Sequence, residues 1–212
     1  MNAKTGLRVV VFVLAALALT TLVAAAQEPA ATAPVSPPWW NLVQNSGFEN
    51  GSGNPSNWGK QYVATGATFQ WATNQYVEGT RSVKIALSAE NDARWTQMVA
   101  VESYTDYVLS GWIKTQNVAH TSDVTDAGAN LSIETNVPGT GLYTRTPTLL
   151  GTNDWTYVSV VFNSGANTQV QVDARVGFFN GVTTGTAWFD DVQLAPVRLL
   201  YVSATVGGTV AG

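Results

Sequence analysis

The chain has 212 residues, no cysteine, and 14 acidic against 10 basic side chains. Setting aside Lys4 and Arg8 as part of a leader leaves 8 basic against 14 acidic groups, a net charge of −6. That balance argues against nucleic acid as a partner, because affinity for phosphate backbones comes mainly from Lys and Arg. Without cysteine there are no disulfides, so something other than covalent staples holds the domain together, and the length allows one core of ordinary size.

Lys4 and Arg8 precede an apolar run, Val9 to Val23, that ends in Ala24, Ala25 and Ala26. A basic start, an apolar middle and a small-residue end make residues 1–26 a secretory signal peptide and the mature protein secreted, extracellular or cell-surface. An uncleaved N-terminal anchor is the alternative. Residues 27–38, "QEPAATAPVSPP", carry four prolines among small residues, the composition of an extended linker. The folded part therefore starts near Trp39.

From there to about Val197 short β-branched and aromatic runs recur between Gly, Asn, Asp, Ser and Thr clusters, and no helix-period stretch of useful length appears. In chain order the runs are "QYVAT", "ATFQWAT", "RSVKIALS", "ARWTQMVAV", "TDYVLSGWIKTQ", "ANLSIETN", "WTYVSVVFNS", "TQVQVDARVGF" and "TAWFDDVQL". About nine strands predict an all-β fold, an antiparallel β-sandwich or jelly roll in two sheets, over residues 39–197. Period-two alternation puts Val170, Val172, Ala174, Val176 and Phe178 on one face, read as core. Gln169, Gln171, Asp173, Arg175 and Phe179 fall on the other, read as facing solvent or ligand. Residues 198–212, "RLLYVSATVGGTVAG" with the Arg at its head, are apolar and strand-like, either an edge strand or the start of a truncated further region.

Catalysis finds little support. The single histidine, His120, sits in the polar stretch "NVAHTSDVTDAG", read as an exposed loop, and no Gly-rich phosphate loop or GxSxG elbow is present. A glycosidase needs two carboxylates across a scissile bond. Glu49, Glu78, Glu134, Asp173, Asp190 and Asp191 are available, but sequence does not pair them.

Four motifs in order carry a resemblance: "NSGFE" near the start of the folded part, "VEGTRSVKI" about thirty residues on, "DYVLSGWIKT" in the middle and "AWFDDVQL" at the end. Together, over roughly Asn41 to Pro196, they resemble the β-jelly-roll carbohydrate-binding modules of families 4, 9, 16 and 22. The resemblance implies a non-catalytic module that binds polysaccharide or glycan. It also implies N-terminal and C-terminal strands brought together around a structural Ca2+. Its ligands would be carbonyls at Gly47, Glu78 and Arg81 and the side chains of Glu49 and Asp190. Hard-cation chemistry agrees, since calcium takes six to eight oxygens, mixing carboxylates with carbonyls. Otherwise Asp190 must be hydrogen-bonded to backbone N–H groups or paired with Lys or Arg, because a buried, unpaired carboxylate costs several kcal/mol. Alternation places Asp190 with Val192 and Leu194, and Asp191 with Phe189 and Gln193 as a solvated neighbour.

Sugar recognition needs aromatic faces for pyranose C–H surfaces and a few placed polar groups. Trp95 and Gln97 share one strand face, with Arg94 beside them, and Trp95 lies fourteen residues after Arg81, where the similar modules carry a cleft Trp. Arg175, fifteen residues before Asp190, matches a polar-face position that contacts ligand in the family. Glu134, Tyr143 and Trp71 complete the expected cleft. Trp112, Trp155 and Trp188 read as structural and Trp58 as a plug against the N-terminal bend. A structural or adhesive spacer module without sugar binding, part of a longer surface protein, is the competing expectation.

Overall fold

The computed structural model describes residues 41–120, 127–135, 142–178 and 183–197. The leader, the proline-rich linker and the C-terminal stretch 198–212 lie outside them. The chain divides into two compact units, Met1–Ala33 and Pro34–Gly212, and every described residue belongs to the second.

The described residues form twelve strands: β1 (Gly51–Ser52), β2 (Asn54–Pro55), β3 (Gly59–Tyr62), β4 (Ala67–Ala72), β5 (Ser82–Asn91), β6 (Ala93–Ala100), β7 (Asp106–His120), β8 (Ala129–Glu134), β9 (Tyr143–Arg145), β10 (Gly151–Asn163), β11 (Gln169–Val176) and β12 (Thr183–Pro196). β1 and β2 make a small hairpin. The others form two five-stranded antiparallel sheets, ordered β10-β7-β12-β5-β4 and β3-β6-β11-β8-β9. The all-β sandwich expected from the alternation is therefore present, and each of the nine runs falls on a strand. The unexpected elements are the β1–β2 hairpin and β9, each only two or three residues long. β7 also continues through Asn117 to His120, so His120 ends a strand opposite Thr183 where a loop was expected.

The inner faces of the sheets meet in one core. Val170, Val172, Ala174 and Val176 of β11 lie in it with Val83, Ile85, Leu109, Ile113, Leu131, Ile133, Phe189 and Leu194. Apolar burial at roughly 25 cal/mol per Å² drives this packing, and it fixes register, because a one-residue slip would turn each buried set outward.

The two chain ends of the sandwich run side by side. Leu42 N–H donates to the Leu194 carbonyl at 2.8 Å and Val192 N–H to that of Ser46 at 3.0 Å. The Asn41 carboxamide adds two bonds, its Oδ1 accepting from Leu194 N–H and its Nδ2 donating to the Val192 carbonyl. Phe48 is buried behind this segment with its ring centroid 4.9 Å from that of Trp58, whose Nε1 donates to the Asn45 carbonyl. Trp58 thus plugs the N-terminal bend as expected.

Between Asp190 and Gln193 the pairing of β12 with β7 shifts by one residue, and Asp191 has a positive φ of 47°. This β-bulge switches the parity of the strand. Phe189 on one side and Val192 and Leu194 on the other are all core residues. The expectation that Phe189 faces away from Val192 is corrected accordingly: uninterrupted alternation was assumed where one extra residue is inserted. Gly111 on β7 makes room for the bulge, since a Cβ there would stand 3.2 Å from the Asp191 carbonyl oxygen and the Val192 Cα.

Candidate functional site: a charged outer face and a carboxylate turn

Antiparallel register assembles the outer face of the β3-β6-β11-β8-β9 sheet row by row. Gln61, Arg94, Arg175 and Asn130 stand opposite one another across four strands. Gly59, Thr96, Asp173, Ser132 and Arg145 form the next row, and Met98, Gln171, Glu134 and Tyr143 the one after. Three predicted residues from distant parts of the sequence, Glu134, Tyr143 and Arg175, are therefore brought together.

The floor of this face is a lattice of charges. Arg175 Nε donates to Asp92 Oδ1 at 2.7 Å, its Nη2 reaches Asp92 Oδ2, and its Nη1 reaches Glu134 Oε1. Arg94 Nη1 donates to the same Glu134 oxygen at 3.2 Å, and its Nε donates to Gln61 Oε1 at 2.9 Å. Gln171 Nε2 donates to both oxygens of Asp173. Arg175, Asp173, Gln171, Glu134, Asn130 and Ser132 are all buried, so the face read as solvent- or ligand-facing is polar yet largely covered. Burial alone would lower the Arg175 pKa, but the carboxylates of Asp92 and Glu134 raise it above the ordinary value. Burial pushes Asp173 up to about 7; Arg94 opposes the shift and Glu134 reinforces it. Ser132 Oγ and Asn130 Oδ1 are buried without a hydrogen-bond partner, so acceptor and donor capacity on this floor is unspent.

The rim is accessible. Tyr143 is 53% exposed at one side, and at the β3 side a groove of about 370 Å³ is lined by Lys60, Gln61, Tyr62, Val63, Asp92 and Arg94. Asp92, Gln61 and Tyr62 were not singled out in the sequence. Asp92 reaches Arg175 across 83 residues, and no local pattern marks such a pair.

Trp95 and Gln97 point the other way. Trp95 lies opposite Ala174 and is fully buried, edge-on to Phe69 at 5.4 Å, with Nε1 donating to the Lys84 carbonyl. It has no free face on which a sugar could stack. The Gln97 side chain accepts from Gln44 N–H and donates to the carbonyls of Gln44 and Asn57, pinning the N-terminal segment. Trp71 stands on β4, in the opposite sheet from Arg175 and Glu134.

The residues expected around calcium do converge. Asp190 is fully buried; its Oδ2 accepts from Val77 N–H at 2.7 Å and Glu78 N–H at 3.3 Å, and its Oδ1 from Asp191 N–H at 2.8 Å. Glu49 Oε1 accepts from Thr80 N–H and Arg81 N–H, both at 2.9 Å, and its Oε2 from the Thr80 hydroxyl. Both carboxylates thus grip the turn 77–81, and a Cβ on Gly47 would be 3.9 Å from Asp190 Oδ1 and from Glu49 Cγ, placing Gly47 between them. Burial pushes Asp190 up to about 7, against the pull of its three N–H donors. The donor set suits a hard cation in kind, because Asp190 has no cationic partner among the described residues. No group of three or more His, Asp or Glu side chains gathers among them, so such an ion would depend on main-chain carbonyls. Asp191 is half-buried at the bulge, and both its oxygens accept from Gln193 Nε2.

The two packed antiparallel sheets form a β-sandwich whose fold is shared by solved carbohydrate-binding modules. Among solved structures, TmCBM61 in complex with β-1,4-galactotriose is 17% identical with a TM-score of 0.50, over 74% of this chain and 99% of that one. A family 4 module is 18% identical with a TM-score of 0.50, over 73% and 99%. The arabinose-bound α-L-arabinofuranosidase MgGH51 is 16% identical with a TM-score of 0.53, over 76% of this chain but 27% of the enzyme. No family model matches the chain, and no curated protein matches it. At such identities the likeness establishes the fold.

Proposed function

We propose that this chain is an exported, non-catalytic module that binds polysaccharide or glycan on the outer face of the β3-β6-β11-β8-β9 sheet. The observation that carries the reading is the accessible groove lined by Lys60, Gln61, Tyr62 and Arg94, with exposed Tyr143 at the other side of the sheet and the buried Arg175–Asp92–Glu134 lattice holding Arg94 from beneath. An immobilised array of donors and acceptors beside an aromatic rim is what discrimination among sugar hydroxyls requires. Glu49 and Asp190, with carbonyls of Gly47, Glu78 and Arg81, would hold one structural calcium that joins the N-terminal bend to β12. A module of the same fold in complex with β-1,4-galactotriose supports the reading, as does the appearance of that fold within a larger arabinofuranosidase.

Affinity electrophoresis of the chain without its leader, in gels containing β-glucan, xylan, mannan or galactan, tests the binding. Retardation by at least one polymer is expected, and Tyr143→Ala should reduce it about tenfold without changing the melting temperature, since a partly exposed aromatic contact contributes about 1–1.5 kcal/mol. No retardation across the panel refutes the reading and favours a structural spacer module. For the ion, chelation should lower the melting temperature and added Ca2+ should restore it; an unchanged melt removes the metal and leaves Asp190 held by backbone N–H groups alone.

A further inference from the structure

Trp71 lies on β4, the edge strand of the second sheet, and its surroundings form a site of their own. Its indole Nε1 donates to the Phe48 carbonyl at 2.6 Å, which fixes the ring. The guanidinium of Arg81 sits over that ring, 3.9 Å from its centroid. A guanidinium stacked in this way is held without using its in-plane N–H donors. No described residue supplies an acceptor to them, whereas Arg175 and Arg94 are both paired with carboxylates. The stack opens on a groove of about 620 Å³ lined also by Phe69, Gln70, Thr73, Asn74 and Gly53. Among the described residues that line this groove, Arg81 is the one charged side chain.

We propose that this groove is a second glycan site, one that takes the carboxylate of a uronosyl residue. The guanidinium fork matches a carboxylate with two parallel N–H···O bonds, and stacking on Trp71 has already ordered the arginine, which lowers the entropic cost of binding. The amides of Gln70 and Asn74 and the Thr73 hydroxyl are the groups that meet the sugar hydroxyls. The inference rests on the reading of the chain as a glycan binder, but it uses the opposite sheet and none of the residues of the first face.

The test is affinity electrophoresis of the chain without its leader in polygalacturonate, alginate and glucuronoxylan, each beside its carboxyl-reduced counterpart. Wild type should be retarded more by an acidic polymer than by its reduced form. Arg81→Gln should cut that preference at least tenfold, and Arg81→Lys should restore only part of it, because an ammonium lacks the fork. Melting curves identify any variant that fails to fold, in which case the lysine variant carries the test. Equal retardation by acidic and reduced polymers, or a preference that survives Arg81→Gln, overturns the inference while neutral-polymer binding leaves the first face intact. An Arg81-dependent preference with no binding to neutral polymers upholds the inference and refutes the first face. No retardation at all overturns both.

Discussion

Replacing Asp190 with asparagine isolates the energetics of the acid buried in the bulge. The wild-type carboxylate accepts three backbone N–H bonds through two oxygens. Asparagine retains one acceptor oxygen and turns an NH2 group toward the remaining donors, which costs about 1–3 kcal/mol. The opposing term is pH-dependent. Asp190 is raised from 3.8 to about 7 in the fold, so below pH 4 both folded and unfolded states hold the proton and the wild type keeps its full stability. As pH rises through that window the unfolded chain ionises first, the folded state binds more protons, and stability falls until the folded group also ionises near 7. The rise corresponds to about 4 kcal/mol if the whole shift is realised. Urea unfolding followed by tryptophan fluorescence, in chelator, should therefore show the wild type ahead of Asp190→Asn at pH 4 and level with it or behind at pH 8. Saturating calcium should abolish the wild-type decline, because an ion binds the carboxylate form and displaces the proton. A wild-type minus variant difference that stays constant from pH 4 to 8 would refute a protonated, desolvated Asp190.

Three further outcomes follow from the packing. Arg175→Met leaves Asp92 buried without its cation and Glu134 with Arg94 alone, and should destabilise by about 3–5 kcal/mol in urea unfolding, with Arg175→Lys recovering only part. Trp95→Ala empties a fully buried site and should cost about 3–5 kcal/mol; weakened glycan binding at unchanged stability would place the indole in a cleft instead. Gly79 has a φ of +68°, and a Cβ there would collide with the Glu49 carboxylate. Gly79→Ala should accordingly lower the melting temperature by several degrees, with the cost exceeding about 1 kcal/mol, and a neutral result would show that Glu49 does not grip that turn.

How much of this could be read from the sequence depended on what had to be known about pairing. Period-two alternation identified the strands and the core face of β11 from Val170 to Val176, whereas Phe178, read as core, follows Gly177 at a φ of 110° and has its ring centroid 4.9 Å from the Arg175 guanidinium instead. On β6 the same periodicity separated Ala93, Trp95, Gln97 and Val99 from Arg94, Thr96, Met98 and Ala100, but it did not tell which set faces inward. Gln97 made the inner set look polar, although its amide is spent on main-chain groups of Gln44 and Asn57. Register settles the matter, since Trp95 stands opposite Ala174 of the core, and register between strands about eighty residues apart is not written in either strand. Asp92 escaped notice for the same reason. The turn 77–81 was found because "GFE", "EGTRS" and "FDD" are local patterns that follow one another in the order seen in the modules the sequence resembles. The bulge was missed although it moves the apolar repeat from Ala187 and Phe189 to Val192 and Leu194, because the alternation was carried unbroken through the two acids between them.

The pairing of the N-terminal segment with β12 also has a mechanical side. Leu42 meets Leu194 and Ser46 meets Val192, so the two run antiparallel and the polypeptide enters and leaves the sandwich at the same corner. Tension transmitted through flanking chain would load that corner alone and open the pairing one hydrogen bond at a time, beginning at Asn41 and Leu194. The strands would be peeled apart; a shearing load, which breaks all the bonds together, would require entry and exit at opposite ends. On that path the grip of Glu49 and Asp190 on the turn 77–81 comes after the first bonds to yield, a clamp set behind the peeling front that retains the sandwich once its outermost segment has lifted.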